Sequence, residues 1–225
     1  MIKRIEISAV RKKRKTRKSW VCPSGKIGIV EELVQEYYLQ ERAFTGCLID
    51  TACVYGGLLW VLFFDILFHN NLNSMQPLCR QYLRTPQRFY EKHKDVIEQR
   101  LEEYKHNRGD VFDRQIRNFF NHPFFSDPES KIAESSGSWL KRNQKDLRTF
   151  IIQSKEHCQE DLIREMIVNS HMGRNAGWPD LVAWNSKSLL FAEVKSTDKL
   201  SSIQLKWIEK HKEKYQIELV RVLNK

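Results

Sequence analysis

The feature that most constrains this chain is a pair of short charged motifs near its C-terminal end. Pro179-Asp180 is followed, twelve residues on, by Glu193-Val194-Lys195. Between them lie Leu181-Val182-Ala183-Trp184, the turn residues Asn185-Ser186-Lys187-Ser188, and Leu189-Leu190-Phe191-Ala192, which read as a β-hairpin with a four-residue loop. Glu193 and Lys195 are two apart on a strand, so they project from one face. The turn folds Asp180 back towards Glu193. Two acids and a lysine therefore converge at one end of a small sheet. An exposed, salt-bridged edge strand would also carry a Glu-x-Lys; the Pro-Asp upstream favours a site. Burying unpaired charge among apolar neighbours is costly unless a partner compensates it.

Carboxylate oxygens of this kind suit Mg²⁺ or Mn²⁺ rather than zinc. Such a metal beside a lysine fits phosphodiester hydrolysis. A helix over Ser202 to about Lys214 and a strand over Ile217–Val222 complete a β–β–α–β order. Ser201-x-x-Gln204 has the form of a capping box at the start of that helix.

Upstream, Val30, Leu33, Val34, Tyr37 and Tyr38 form an amphipathic stripe, predicting a helix from Val30 to Gln40. Residues 47–68 are strongly apolar, but the charge-free part, Thr51 to Phe64, is too short to span a membrane, which takes about 20 residues. Asp50 and Asp65 flank it, so a buried core helix is expected; no membrane association is. Residues 70–168 read as mostly helical. The mean hydropathy of −0.56 agrees with a soluble protein. Five irregularly spaced cysteines point to reduced thiols in the cytosol or nucleus, and no signal peptide is visible.

The net charge is +10, and most of it lies at one end: residues 1–18 hold nine basic residues and one acid. Residues 1–20 read as a basic arm, with Lys12, Lys13 and Arg14 at its centre. Such a run is a solvated stretch, a nuclear-localisation signal or a phosphate-binding arm.

Pro179-Asp180…Glu193-Val194-Lys195 resembles the PD-(D/E)xK nuclease motif. Gly177–Trp184, Phe191–Lys195, Asp198–Ser201 and Gln204–Ile208 resemble, in that order, the VRR-NUC nuclease domain. Val30–Leu33, Tyr37-Tyr38, Phe44-Thr45-Gly46 and Val61–Phe68 further resemble the nuclease region of the Fanconi-associated nucleases. The resemblance implies an α/β, restriction-endonuclease-like PD-(D/E)xK core, a small mixed sheet flanked by helices, with a large helical insertion. Residues 21–225 would form the domain, with the insertion at about 70–168 and the motif core at 170–225.

The resemblance implies Lys195, Glu193, Asp180 and Gln204 as catalytic residues. It makes Asp180, Glu193, the Val194 carbonyl and Asp50 ligands of Mg²⁺ or Mn²⁺. Asp50 falls on the family's first metal-binding glutamate, and Leu48 on a histidine. Arg174 is a solvated loop residue or, by the resemblance, a phosphate contact. Trp184 and Trp207 are expected in the core. The implied activity is a structure-specific DNA nuclease, a 5′-flap endonuclease and 5′–3′ exonuclease of phosphodiesterase I type, serving interstrand crosslink repair. It would act as a monomer on branched or flapped DNA, in the nucleus of a eukaryote or otherwise in the cytoplasm; partner proteins of a repair complex are not readable. The alternative is a DNA-binding pseudonuclease whose short Asp50 disables cleavage.

Overall fold

The computed structural model describes residues 2–13, 18–68, 86–121, 138–154, 157, 159–169 and 177–225. The chain forms two compact units. The first joins Met1–Ala52 to Ala176–Lys225, and the second is Cys53–Asn175.

The first unit is built on a five-stranded mixed sheet. Its strands are β1 (Ile2–Ala9), β5 (Gly46–Ile49), β6 (Leu181–Trp184), β7 (Leu189–Lys195) and β8 (Gln216–Asn224). They lie in the order β1-β8-β7-β6-β5. The β5–β6 and β6–β7 pairs are antiparallel, whereas β7–β8 and β8–β1 are parallel. A separate antiparallel sheet holds β2 (Arg11–Lys13), β3 (Lys18–Val21) and β4 (Ile27–Gly28).

Strand alternation assigns the two faces of the large sheet. Leu190, Ala192 and Val194 of β7, with Val220 and Val222 of β8, pack in one cluster with Leu33, Val34 and Tyr38 of helix α1 (Val30–Gln40). Trp20 and Cys22 extend that cluster. The opposite face carries Phe191, whose ring meets Trp207 edge-on at 5.4 Å. Trp207 belongs to the helix Ser202–His211, α7 in chain order. The sheet is thus covered by α1 on one side and by α7 on the other. Trp184 and Trp207 are buried, as core residues.

One acid sits wholly inside the α1 layer. Glu218 of β8 accepts a hydrogen bond from the Tyr38 hydroxyl at 2.8 Å and an ion pair from Arg42 Nη2 at 3.1 Å. Those partners offset the cost of burying its charge.

The N-terminal region departs from the sequence reading. The described part of residues 1–20 is strand rather than arm: β1 lies beside β8 in parallel register over eight pairs, from Ile2↔Ile217 to Ala9↔Asn224. Lys12 and Lys13 lie on β2, and Arg14 lies outside the described residues. Ile5, Ile7 and Ala9 alternate with polar residues, which is the pattern of a half-buried strand. The sheet also gains β5, from residues that read as the start of the apolar helix.

In the second unit, the described helices are most of α2 (Thr51–Phe68), α3 (Pro86–His106), α4 (Arg108–Asn121), α5 (Ser138–Gln153) and α6 (Glu160–Asn169). The unit starts at Cys53, within α2, whose Leu58, Leu62 and Phe63 are buried. No described helix is long and apolar enough to cross a membrane. Asp65 is held by the Arg100 guanidinium at 2.9 and 3.1 Å. Arg108 pairs with Glu160 at 2.5 Å, both side chains buried. Cys22, Cys47 and Cys53 are free thiols; Cys79 and Cys158 lie outside the described residues.

Candidate active site

The hairpin of β6 and β7 places the acidic residues. Its turn is tied by the Asn185 side chain, whose Oδ1 accepts from the Lys187 and Ser188 amides at 2.9 Å. That fixes the register at Trp184↔Leu189 and Leu181↔Ala192. Asp180 therefore stands just before β6, where the ladder stops. The Val194 amide lies beyond the last pair, and Asp180 Oδ2 accepts its proton at 2.8 Å. A side chain thus substitutes for the missing strand carbonyl and anchors its own carboxylate at the end of β7.

Glu193 is 1% exposed, and its Oε1 accepts from both Lys195 Nζ and Gln204 Nε2. Gln204 uses its two ends differently. Its Oε1 accepts from the Ser201 amide at 2.9 Å, closing the capping box of α7, while its Nε2 reaches Glu193. The helix cap and the site contact are two functions of one amide.

The Asp180 and Glu193 carboxyl groups are close enough to influence each other's ionisation. Burial, followed by the nearby Asp180 charge, pushes the Glu193 carboxyl up to about 7. Burial likewise raises Asp180, against the pull of the Val194 amide and Lys195. With both ionised, the half-buried Asp180 and the buried Glu193 carry two negative charges against the single positive charge of Lys195, an excess that a divalent cation would balance. Both offer hard oxygen donors, so the residues fit Mg²⁺ or Mn²⁺. Among the described residues, no three His, Cys, Asp or Glu side chains are gathered as a ready metal cluster.

Asp50 lies at the same end of the sheet. Its amide donates to the Asp180 main-chain carbonyl at 2.7 Å, continuing the β5–β6 ladder. Its φ of 64° is left-handed, a conformation aspartate adopts more readily than most residues. The residue is exposed, and its charge is the weakest of the influences on Asp180.

A carboxylate missed by sequence reasoning is Glu31, in the first turn of α1. Burial raises its pKa first; the Asp180 charge adds to this and Lys195 opposes it. It is thus within electrostatic reach of the pair. Gln35, one turn on, donates to the Cys47 carbonyl of β5 at 2.6 Å and ties this face of α1 to the sheet. Glu32 behaves differently: it caps the helix at the Ile29 amide and pairs with Lys26. The doubled acid Glu31-Glu32 was the available signal, but two acids in a first turn also serve the helix dipole.

Arg174 lies outside the described residues. Lys12 is exposed on β2, in the smaller sheet, so the structure does not gather it with Asp180 and Glu193.

The mixed sheet between helices, with Asp180, Glu193 and Lys195 at the hairpin's open end, defines a restriction-endonuclease-like fold of the PD-(D/E)xK class. The VRR-NUC domain family model matches residues 128–224, which include the hairpin and α7. Two solved structures share the fold, both of paFAN1. With a 2-nt 5′-flap DNA with gap, the TM-score is 0.63 at 17% identity. With a 1-nt 5′-flap DNA with gap, it is 0.64 at 16% identity. Each match covers 100% of this chain and 38% of the other, so the chain spans about two-fifths of the length of these relatives. No curated protein matches by sequence.

Proposed function

We propose that this chain is a divalent-metal-dependent, structure-specific DNA nuclease that hydrolyses phosphodiester bonds in flapped or branched DNA. The observation that carries the reading is the pairing of the half-buried Asp180 with the buried Glu193, held by the Val194 amide, Lys195 and Gln204. The VRR-NUC match and the flap DNA named for paFAN1 support it.

Asp180, Glu193 and the Val194 carbonyl would hold Mg²⁺ or Mn²⁺, with Asp50 or Glu31 as a further carboxylate. When bound, the metal supplies Lewis acidity and lowers the pKa of water. Lys195, now on Glu193, is positioned to orient the attacking water and to meet charge developing on the phosphate. Gln204 fixes the Glu193 rotamer from the cap of α7. A 5′-flap endonuclease with 5′–3′ exonuclease activity, acting as a monomer in nuclear interstrand crosslink repair, is the specific role we assign.

The test is cleavage of a 5′-flap substrate with Mg²⁺, with Mn²⁺ and with EDTA. Cleavage should need a metal, and Asp180→Ala or Glu193→Gln should abolish it while leaving DNA binding intact. Binding without cleavage under either metal would instead make the chain a DNA-binding pseudonuclease. Full activity in Asp180→Ala would remove the site.

A further inference from the structure

The face of the sheet that bears the carboxylates continues past them. Glu193 is in register with Leu219 on β8, and Leu219 with Arg4 on β1; Lys195 is in register with Arg221, and Arg221 with Glu6. In-register neighbours share a face. Arg4, Glu6 and Arg221 therefore rise from the same face as Glu193 and Lys195. A cavity of about 450 Å³ opens there, also lined by the loop after β7, which adds Asp198 and Lys199.

Four cations against two acids line this groove, and Arg4, Lys199 and Arg221 are exposed. Among the described residues, none of those three has an ion-pair or hydrogen-bond partner. Elsewhere in the chain the described arginines tend to be paired, as Arg42, Arg100, Arg108, Arg114, Arg148 and Arg164 are. β1 lies two strand spacings from β7, about 10 Å. Arg4 thus faces a group other than one bound at Glu193, with Arg221 on the strand between them.

We propose that this groove is a second phosphate site, in which Arg4 and Arg221 clasp an internal phosphodiester flanking the scissile bond. Guanidinium forks match phosphate oxygens in two-point hydrogen bonds. A polyanionic strand laid from the carboxylates across β7, β8 and β1 would meet Lys195, Arg221 and Arg4 in turn. The first strand, which adds no acid to the carboxylate pair, would act as substrate-binding wall. This inference rests on the nuclease reading for the identity of its ligand.

The experiment measures binding of 5′-flap DNA to the full chain in EDTA, across a salt series, for wild type, Arg4→Gln/Arg221→Gln and Arg4→Lys/Arg221→Lys. The Gln pair should weaken binding about tenfold and reduce the slope of log affinity against log salt by about 1, the one phosphate no longer neutralised. The Lys pair should retain most of the slope, which a merely structural role for these positions does not predict. Single methylphosphonate linkages walked along the DNA should include one that weakens wild type but not the Gln pair. An unchanged salt slope in the Gln pair, or linkages that penalise both proteins equally at every position, would overturn the groove. Cleavage is read separately with Mg²⁺ or Mn²⁺. Its failure in wild type removes the nuclease reading, while the metal-free binding data still decide the groove.

Discussion

Tyr38→Phe isolates one hydroxyl in the core of the first unit. The Tyr38 ring is fully buried and meets Phe44 edge-on at 5.5 Å, a packing that phenylalanine keeps. What disappears is the 2.8 Å hydrogen bond to Glu218 Oε2. That oxygen then retains only the Arg42 Nη1 hydrogen bond at 3.4 Å. A hydrogen bond to a charged group contributes about 1.5–3 kcal/mol net, and Glu218 has no water to turn to, so a destabilisation of about 2 kcal/mol is expected. Native-state hydrogen exchange of the β8 amides reads this unit by itself, and about 2 kcal/mol corresponds to about 30-fold faster exchange. The alkaline limb supplies a second reading. Burial and the Glu218 charge raise the Tyr38 pKa above its ordinary 10.0. The unfolded tyrosine ionises first, so this contribution is complete below about pH 10 and is lost as pH rises above it. Wild type should therefore lose stability faster than Tyr38→Phe in that range. Exchange within about threefold of wild type, with parallel alkaline profiles, would refute a stabilising Tyr38–Glu218 bond.

Gly46→Ala should destabilise the first unit by about 1–3 kcal/mol in urea unfolding, since a Cβ there meets the indole of Trp184, and adding Trp184→Phe should recover part of the stability. Arg108→Met should cost the second unit about 3–5 kcal/mol, read as a lower melting temperature by circular dichroism, because it leaves Glu160 buried without its cation. In single-turnover flap cleavage Glu31→Gln should slow the reaction about 10²-fold and Asp50→Asn less, since Glu31 is the half-buried acid that feels both Asp180 and Lys195. The reverse order would return the first carboxylate to Asp50.

The legible parts of the sequence were those with a strong local period or an unusual charge. The stripe from Val30 marks α1 to its last residue, and the turn Asn185–Ser188 gives the hairpin and hence the Asp180–Glu193 encounter. β5 was hidden, because Cys47-Leu48-Ile49 is apolar without alternation and only its pairing with β6 separates it from α2. β1 was hidden by its lysine and arginine content, although Ile5, Ile7 and Ala9 keep a period of two. Glu218 looks like any polar residue on a strand; its burial depends on Tyr38 and Arg42, which lie 180 and 176 positions away in sequence.

The pairing of β1 with β8 has a consequence for biosynthesis. Ile2 must wait for Ile217 before the sheet acquires its outer edge, while Cys53–Asn175 is continuous and emerges from the ribosome in between. The helical unit can therefore settle during translation, whereas the sheet depends on pairings of very high sequence separation, which form slowly. Asp50 is synthesised well before Asp180 and Glu193 exist to meet it. Competence of the site therefore waits for β8, timed by the docking of a strand made before the second unit against one made after it.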